Sequence, residues 1–198
     1  MKLYFASGNL HKKLETSRLL GGYELTLPKE EGYTFDPEEN RTTFVENAII
    51  KAKALYDIVK EPVISDDSGL CVRALDWKPG IYTARYGCEN GKELNSVEKY
   101  MLLLKNMEGE KDRYAEFVCA ICLYINPNRI YVIQESSAGE IALAPSNGTE
   151  GFGYDPIFFN YEAGKIVADL SEGEKDIYSH RGKAARVMKT LLDKEINR

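Results

Sequence analysis

Thr43-Phe44-Val45-Glu46-Asn47-Ala48 and, further on, Val63-Ile64-Ser65-Asp66-Asp67-Ser68-Gly69 are the stretches that decide the fold. The first reads as the start of a helix. Thr43 stands at the cap with Glu46 three residues on, the capping-box spacing. Phe44, Ala48, Ala52, Leu55 and Val59 then recur at helical intervals, and Pro62 lies just past the end. The second stretch opens as a short apolar strand, Val63-Ile64, that runs into two adjacent carboxylates and a glycine. Another strand is expected from Leu70 to Val72.

Upstream, a strand at about residues 2–6 leads through Ser7-Gly8-Asn9 into a helix. Leu10, Leu14 and Leu20 are placed on its buried side, and Gly21-Gly22 ends it. Residues 28–42, rich in Glu, Gly and Pro, read as a loop. Downstream, residues 95–107 read as a helix. Two long strands, 114–125 and 129–138, join near Asn126-Pro127-Asn128 as a hairpin. A glycine-rich loop at 148–155, a charged loop at 171–178 and a last helix from Ser179 to Glu195 complete the chain. Because of the hairpin, the sheet cannot be purely parallel. The expected fold is α/β, a mixed twisted sheet with flanking helices in a single domain over residues 1–198.

Composition narrows the function. The 198 residues can bury one substantial core or two small lobes around a cleft. A net charge of −5 argues against a general nucleic-acid binder, though not against a local phosphate pocket. No apolar run approaches the roughly 20 residues of a membrane span, and the N-terminus lacks a signal-peptide pattern; a cytoplasmic protein is expected. Cys119 and Cys122 suggest a metal or disulfide motif. They lie in a stretch that reads as a buried strand, where residues three apart point to opposite faces. They are therefore read as small core hydrophobes.

Five segments carry residue types that packing does not demand. Ser7 to Lys12 forms a strand-to-helix turn whose backbone N–H groups and lysine suit an anion; an ordinary helix cap with a solvated lysine would look the same. Glu38-Glu39 precede a helix bearing Glu46 and Asn47. Asp66-Asp67-Ser68-Gly69 brings carboxylates to a strand end, where a cation such as Mg²⁺ would offset their repulsion; a local turn is the alternative. In Glu150 to Phe158 glycines alternate with aromatics that could stack on a base. Lys175 is followed by Ser179-His180-Arg181-Gly182-Lys183, where cations in a first helical turn oppose the helix dipole and suggest an anion or base edge.

Taken together, the chain resembles the inosine triphosphate pyrophosphatase family, the XTP/dITP pyrophosphatases. The resemblance rests on Ser7-Gly8-Asn9 with Lys12, Thr43-Phe44 with Glu46-Asn47-Ala48, Ser65 to Leu70, Pro79-Gly80-Ile81-Tyr82 with Ala84-Arg85-Tyr86, Gly151 to Phe158, and Ser179 to Gly182. These pieces occur in family order along nearly the whole chain. His11 and Asn40-Arg41 depart from the common pattern, which has Gly and Thr-Gly there. The resemblance implies an elongated two-lobed body with a central nucleotide cleft, a homodimer, and hydrolysis of ITP, dITP and XTP to monophosphate and pyrophosphate. It implies Mg²⁺ on Glu39 (or Glu38 in its place) and Asp67, with Asp67 also activating water. Ser7, Gly8, Asn9, Leu10, His11, Lys12 and Lys51 would join the substrate contacts, as would Ser68, Phe152, Gly153, Tyr154, Asp155, Lys175, His180 and Arg181.

Overall fold

The computed structural model describes residues 2–38, 40–88, 93–148 and 150–196. Its strands are β1 (Lys2–Phe5), β2 (Glu24–Thr26), β3 (Val63–Val72), β4 (Lys78–Pro79), β5 (Tyr114–Asn126), β6 (Arg129–Ile141), β7 (Phe158–Asn160) and β8 (Lys165–Ile166). The helices are α1 (Leu10–Leu20), α2 (Phe44–Val59), α3 (Ser96–Asn106), α4 (Glu172–Tyr178) and α5 (His180–Ile196). The strands form one sheet in the order β2-β1-β3-β5-β6-β7-β8, with β4 beside β3. β1 pairs parallel with β2 and β3, whereas β7 pairs antiparallel with β6 and β8. The sheet is mixed, as expected. β5 and β6 are neighbours joined across two residues, the hairpin that the sequence signals.

The chain divides into two compact units. The first comprises Met1–Asp67, Cys119–Glu135 and Arg181–Arg198. Its core packs Leu3 and Phe5 of β1, Ile64 of β3 and Cys119, Ile121 and Leu123 of β5 against Leu20 of α1 and Met188 and Leu192 of α5. The opposite face of the same strands meets α2. Ser65 Oγ donates to the Ala48 carbonyl at 2.6 Å, and the Tyr124 ring lies 4.9 Å from that of Tyr56. Cys119 and Cys122 are fully buried thiols on opposite faces of β5, which is the role as small core residues that was expected. The second unit comprises Ser68–Val118 and Ser136–His180. Leu70, Val72, Leu103, Met107, Phe117 and Phe158 lead its core.

Three local expectations are corrected. Leu10 and Leu14 are more than half exposed, and α1 instead buries Thr16 and Leu20. Its inward stripe is partly polar, so counting apolar residues alone chose the wrong face. Asp66-Asp67-Ser68-Gly69 is no turn at a strand end: β3 runs unbroken from Val63 to Val72. Residues 171–178 are not a loop but α4, with Ser171 and Glu174 forming a reciprocal capping box. α2 starts as read: Thr43 Oγ1 accepts from the Glu46 N–H at 3.1 Å, while the Glu46 carboxylate takes the hydroxyls of Thr42 and Thr43. No helix among the described residues is long and apolar enough to cross a membrane.

Leu123, with no exposed surface, and Leu143, 85% exposed, give a matched test of where the stabilising burial lies. Leu123→Ala should cost about 2–5 kcal/mol of unfolding free energy, and Leu143→Ala less than about 0.5 kcal/mol. Urea unfolding of both variants measures this; similar losses would contradict the packing described.

Candidate active site

β3 places consecutive side chains on opposite faces, so its two adjacent carboxylates have separate surroundings. Asp66 faces the side of Ile64, towards α1 and α5. It is 1% exposed. Its Oδ1 accepts from Lys12 Nζ at 2.6 Å, and its Oδ2 from Arg181 Nε at 2.8 Å and Cys119 Sγ at 3.2 Å. Arg181 Nη1 in turn donates to Glu15 Oε2 at 2.6 Å. Lys12 and Glu15 are three residues apart on α1 and so share a face; Arg181 stands in the first turn of α5, and Cys119 on the neighbouring strand.

The charges in this cluster settle one another. Burial pushes the Asp66 carboxyl up, but Arg181 and Lys12 outweigh it and hold the group well below the usual carboxylate range. Burial likewise opposes the charge on Arg181, and Asp66 and Glu15 overcome it and raise the guanidinium above its ordinary value. Burial, with the Asp66 charge added, holds Cys119 as a neutral thiol that donates. A cation opposing the dipole of α5 looked from sequence like a group reserved for a ligand. In the structure Arg181 also has a structural use: it neutralises a carboxylate sealed in the core.

Asp67 faces α2. Its Oδ1 accepts from Lys51 Nζ at 2.7 Å, and the same ammonium donates to the Asp66 carbonyl at 2.9 Å. Lys51 and Asp67 are both buried. The chain ahead of α2 is tied down nearby in sequence, where the Arg41 N–H donates to Oδ1 of fully buried Asn47 at 3.1 Å. Glu38 is exposed and accepts from Asn40 Nδ2 at 3.1 Å; Glu39 lies outside the described residues. Among the described residues no group of three or more His, Cys, Asp and Glu side chains gathers as a metal centre.

The turn from Ser7 to Lys12 is built as an N-cap. Asn9 Oδ1 accepts from the Lys12 N–H at 3.2 Å, and the Asn9 N–H donates to Ser7 Oγ at 3.1 Å. Two of the turn's backbone donors are thus used internally. Gly8, Leu10 and His11 are exposed, and Ser7 is half-buried.

In the second unit, Asp155 organises the glycine–aromatic turn. Its Oδ2 accepts from the Phe152 N–H at 2.8 Å and from Lys175 Nζ at 2.9 Å. Gly151 has φ +83, and a Cβ there would stand 2.1 Å from that same oxygen, so only glycine fits. Lys175 Nζ also lies 5.1 Å over the Phe152 ring. Gly153 turns with φ +66. The Tyr154 ring is core, and its hydroxyl donates to the Thr83 carbonyl at 3.2 Å. The His180 ring stacks on Phe117 at 4.8 Å and 9°. Ser68, half-buried on β3, belongs to this unit too. The expected site residues therefore fall into two sets: Ser7 to Lys12, Lys51, Asp67 and Arg181 in the first unit, and Ser68, Phe152 to Asp155, Lys175 and His180 in the second. Sequence reading singled out Asn47 but missed Glu15 and Phe117 and the place of Asp66; for Glu15 only its helical spacing from Lys12 gave a local hint.

The Ham1 family model matches residues 3–191. The chain belongs to the Ham1 family. Among Ham1 relatives, a dITP/XTP pyrophosphatase of Treponema denticola is 50% identical over 184 residues, covering 93% of this chain and 94% of that one. One from Leptospira interrogans is 40% identical over 186 residues, 92% of each chain. A solved HAM1 protein structure from Coxiella burnetii is 36% identical with a TM-score of 0.87, covering 98% of this chain and 99% of that chain. The Ham1 protein of Staphylococcus aureus gives 0.86 at the same identity, with 98% and 100% covered.

The Asp66 cluster predicts a pH dependence. Its folded carboxyl titrates below the unfolded value of about 4, so its contribution is present above that pH and lost as pH falls through the folded pKa. Asp66→Asn should destabilise the fold by ~3–5 kcal/mol at neutral pH, because Arg181 is left buried against a neutral amide. The decline of stability below pH about 4 should also become shallower in the variant. Urea midpoints from pH 7 to 2.5 measure both, and an equally steep acid decline in the variant would refute the assignment.

Proposed function

We propose that this Ham1-family chain hydrolyses the non-canonical purine nucleoside triphosphates ITP, dITP and XTP to the monophosphate and pyrophosphate, clearing them from the nucleotide pool. The observation that carries this reading is the 50% identity to a dITP/XTP pyrophosphatase over 93% of the chain. The buried Asp67–Lys51 pair lies within the matched span and supplies the chemistry. A cytoplasmic homodimer, as the resemblance implies, is part of the proposal.

In this reading Ser7, Gly8, Asn9, Leu10, His11 and Lys12 take the polyphosphate. An ammonium has three donors, so Lys12 can hold Asp66 and still meet phosphate oxygens. Asp67 takes the proton of the water that attacks the α-phosphorus. The bond to the bridging oxygen breaks and pyrophosphate leaves. Lys51 fixes the orientation of the Asp67 carboxylate and balances its charge. The donor set suits Mg²⁺, which takes hard oxygens from one or two carboxylates plus substrate phosphate. Asp67 with Glu39, or with Glu38 in its place, would hold it. Asp66 would not, since Lys12, Arg181 and Cys119 already cover its oxygens. When bound, Mg²⁺ would neutralise charge on the polyphosphate.

Ser68, Phe152, Gly153, Tyr154, Asp155, Lys175, His180 and Arg181 hold the nucleotide in this proposal. Imidazole and main-chain donors accept a purine with a 6-oxygen, whereas a 6-amino group would leave them unpaired at a cost of ~1–3 kcal/mol. The retained Asp67, Lys51 and Lys12 count against a non-catalytic nucleotide-binding module.

With Mg²⁺, turnover of ITP, XTP and dITP should exceed that of ATP and GTP, with monophosphate and pyrophosphate as products. Release of orthophosphate, or a preference for pyrimidine triphosphates, would overturn the proposal. Asp67→Asn should lower kcat by about 10²–10⁴-fold in a folded protein, as steady-state kinetics with circular dichroism will show.

A further inference from the structure

α4 ends at Tyr178 and α5 begins at His180, and the single residue between them, Ser179, is extended at φ −73, ψ 153. The last carbonyls of a helix have no partner within it. Here the Tyr178 carbonyl is caught from the sheet. Ser137 Oγ, on β6, donates to it at 3.0 Å. Asn160 Nδ2, on β7, donates to Ser137 Oγ at 2.7 Å and reaches the same carbonyl at 3.4 Å. The Asn160 amide cannot be turned the other way, because its Oδ1 accepts the Ala163 N–H at 2.9 Å. Ser137 and Asn160 are each 1% exposed, and every step of this chain has a donor and an acceptor.

The anchored carbonyl lies three residues after Lys175 and two before His180. Lys175 is bound to Asp155, and His180 is stacked flat on Phe117. The Ser179 N–H donates to the Lys175 carbonyl at 2.9 Å, a bond inside the last turn of α4, whereas Ser137 and Asn160 tie the carbonyl beside the junction to the sheet. Loss of the anchor would therefore shift both side chains together. We infer that Ser137 and Asn160 are positioning residues, which fix the α4–α5 junction so that Lys175 and His180 are held ready for the nucleotide. This rests on the reading of those two residues as nucleotide contacts.

The two histidines of the chain, His11 and His180, make the test direct. In the NMR spectrum the His180 ring protons are displaced by the Phe117 ring current, and exposed His11 serves as an internal reference. Ser137→Ala and Asn160→Leu should move the His180 signal towards the ordinary histidine position and leave His11 unmoved. Ser137→Thr, which keeps the hydroxyl, should restore the wild-type signal. In parallel, KM for ITP should rise roughly 2- to 12-fold in Ser137→Ala, the worth of one neutral hydrogen bond, with kcat little changed. An unmoved His180 signal in a folded variant would overturn the inference. So would a moved signal with unchanged KM, or a failure of Ser137→Thr to restore it. Should the wild-type chain turn over no triphosphate, the proposed activity fails, and the same comparison is made with KM replaced by the affinity for IMP; an unchanged affinity then overturns the inference.

Discussion

A carboxylate sealed in the first unit, Asp66, is the constraint on which much else depends. Buried charge is tolerated only with partners close by, and these come from three elements: Lys12 on α1, Arg181 on α5 and Cys119 on β5. Each partner fixes an element. Glu15 adds a second contact to Arg181, tying α1 to the start of α5 on the same face of the sheet. Apolar packing of Leu20, Met188 and Leu192 brings these helices to the strands, but such contacts are non-directional. The ion cluster sets their rotation, and with it the direction in which Lys12 leaves α1.

The second unit solves a similar problem with fewer charges. Asp155 takes a backbone N–H and a lysine on one oxygen, so that a tight turn and a helix are referred to one point. Where the first unit uses ionic partners, the junction between α4 and α5 uses neutral ones, a hydroxyl and an amide. Neutral donors suit that place: a charged group there would need its own counter-charge in the core.

The elements with strong periodicity or capping were legible in the sequence. α2, with Thr43, Glu46 and its apolar stripe, is an example; so are the β5–β6 pair and the opposed cysteines of β5. α1 was not, because its inward stripe carries half-buried Lys12 and Glu15 and buried Thr16 beside Leu20, and apolar counting selects the exposed Leu10 and Leu14. β3 was split into two strands because Asp-Asp-Ser-Gly has turn chemistry; long-range partners overrode it. α4 hid behind its charge, although Ser171 and Glu174 stood at capping-box spacing. For the site, residue types located Lys12, Asp67, Asp155 and Lys175 as chemically loaded positions. What they bond to depends on contacts 16 to 54 residues apart in sequence, and the Arg181–Asp66 pair beside them spans 115; no local pattern encodes those.

The alternation along β3 has a further consequence for how this chain can vary. Ile64 and Asp66 serve one side of the strand, and Ser65 and Asp67 the other. A one-residue deletion just ahead of Asp66 would turn the acid meant for Lys51 towards Arg181 and put uncharged Ser68 in its place, and a one-residue insertion would turn the acid meant for Arg181 towards Lys51. Length changes in this strand are thus closed to the protein in steps of one, whereas the exposed residues before α2 can change in length without reversing any side chain. The two adjacent aspartates look redundant in the sequence, yet neither can stand in for the other.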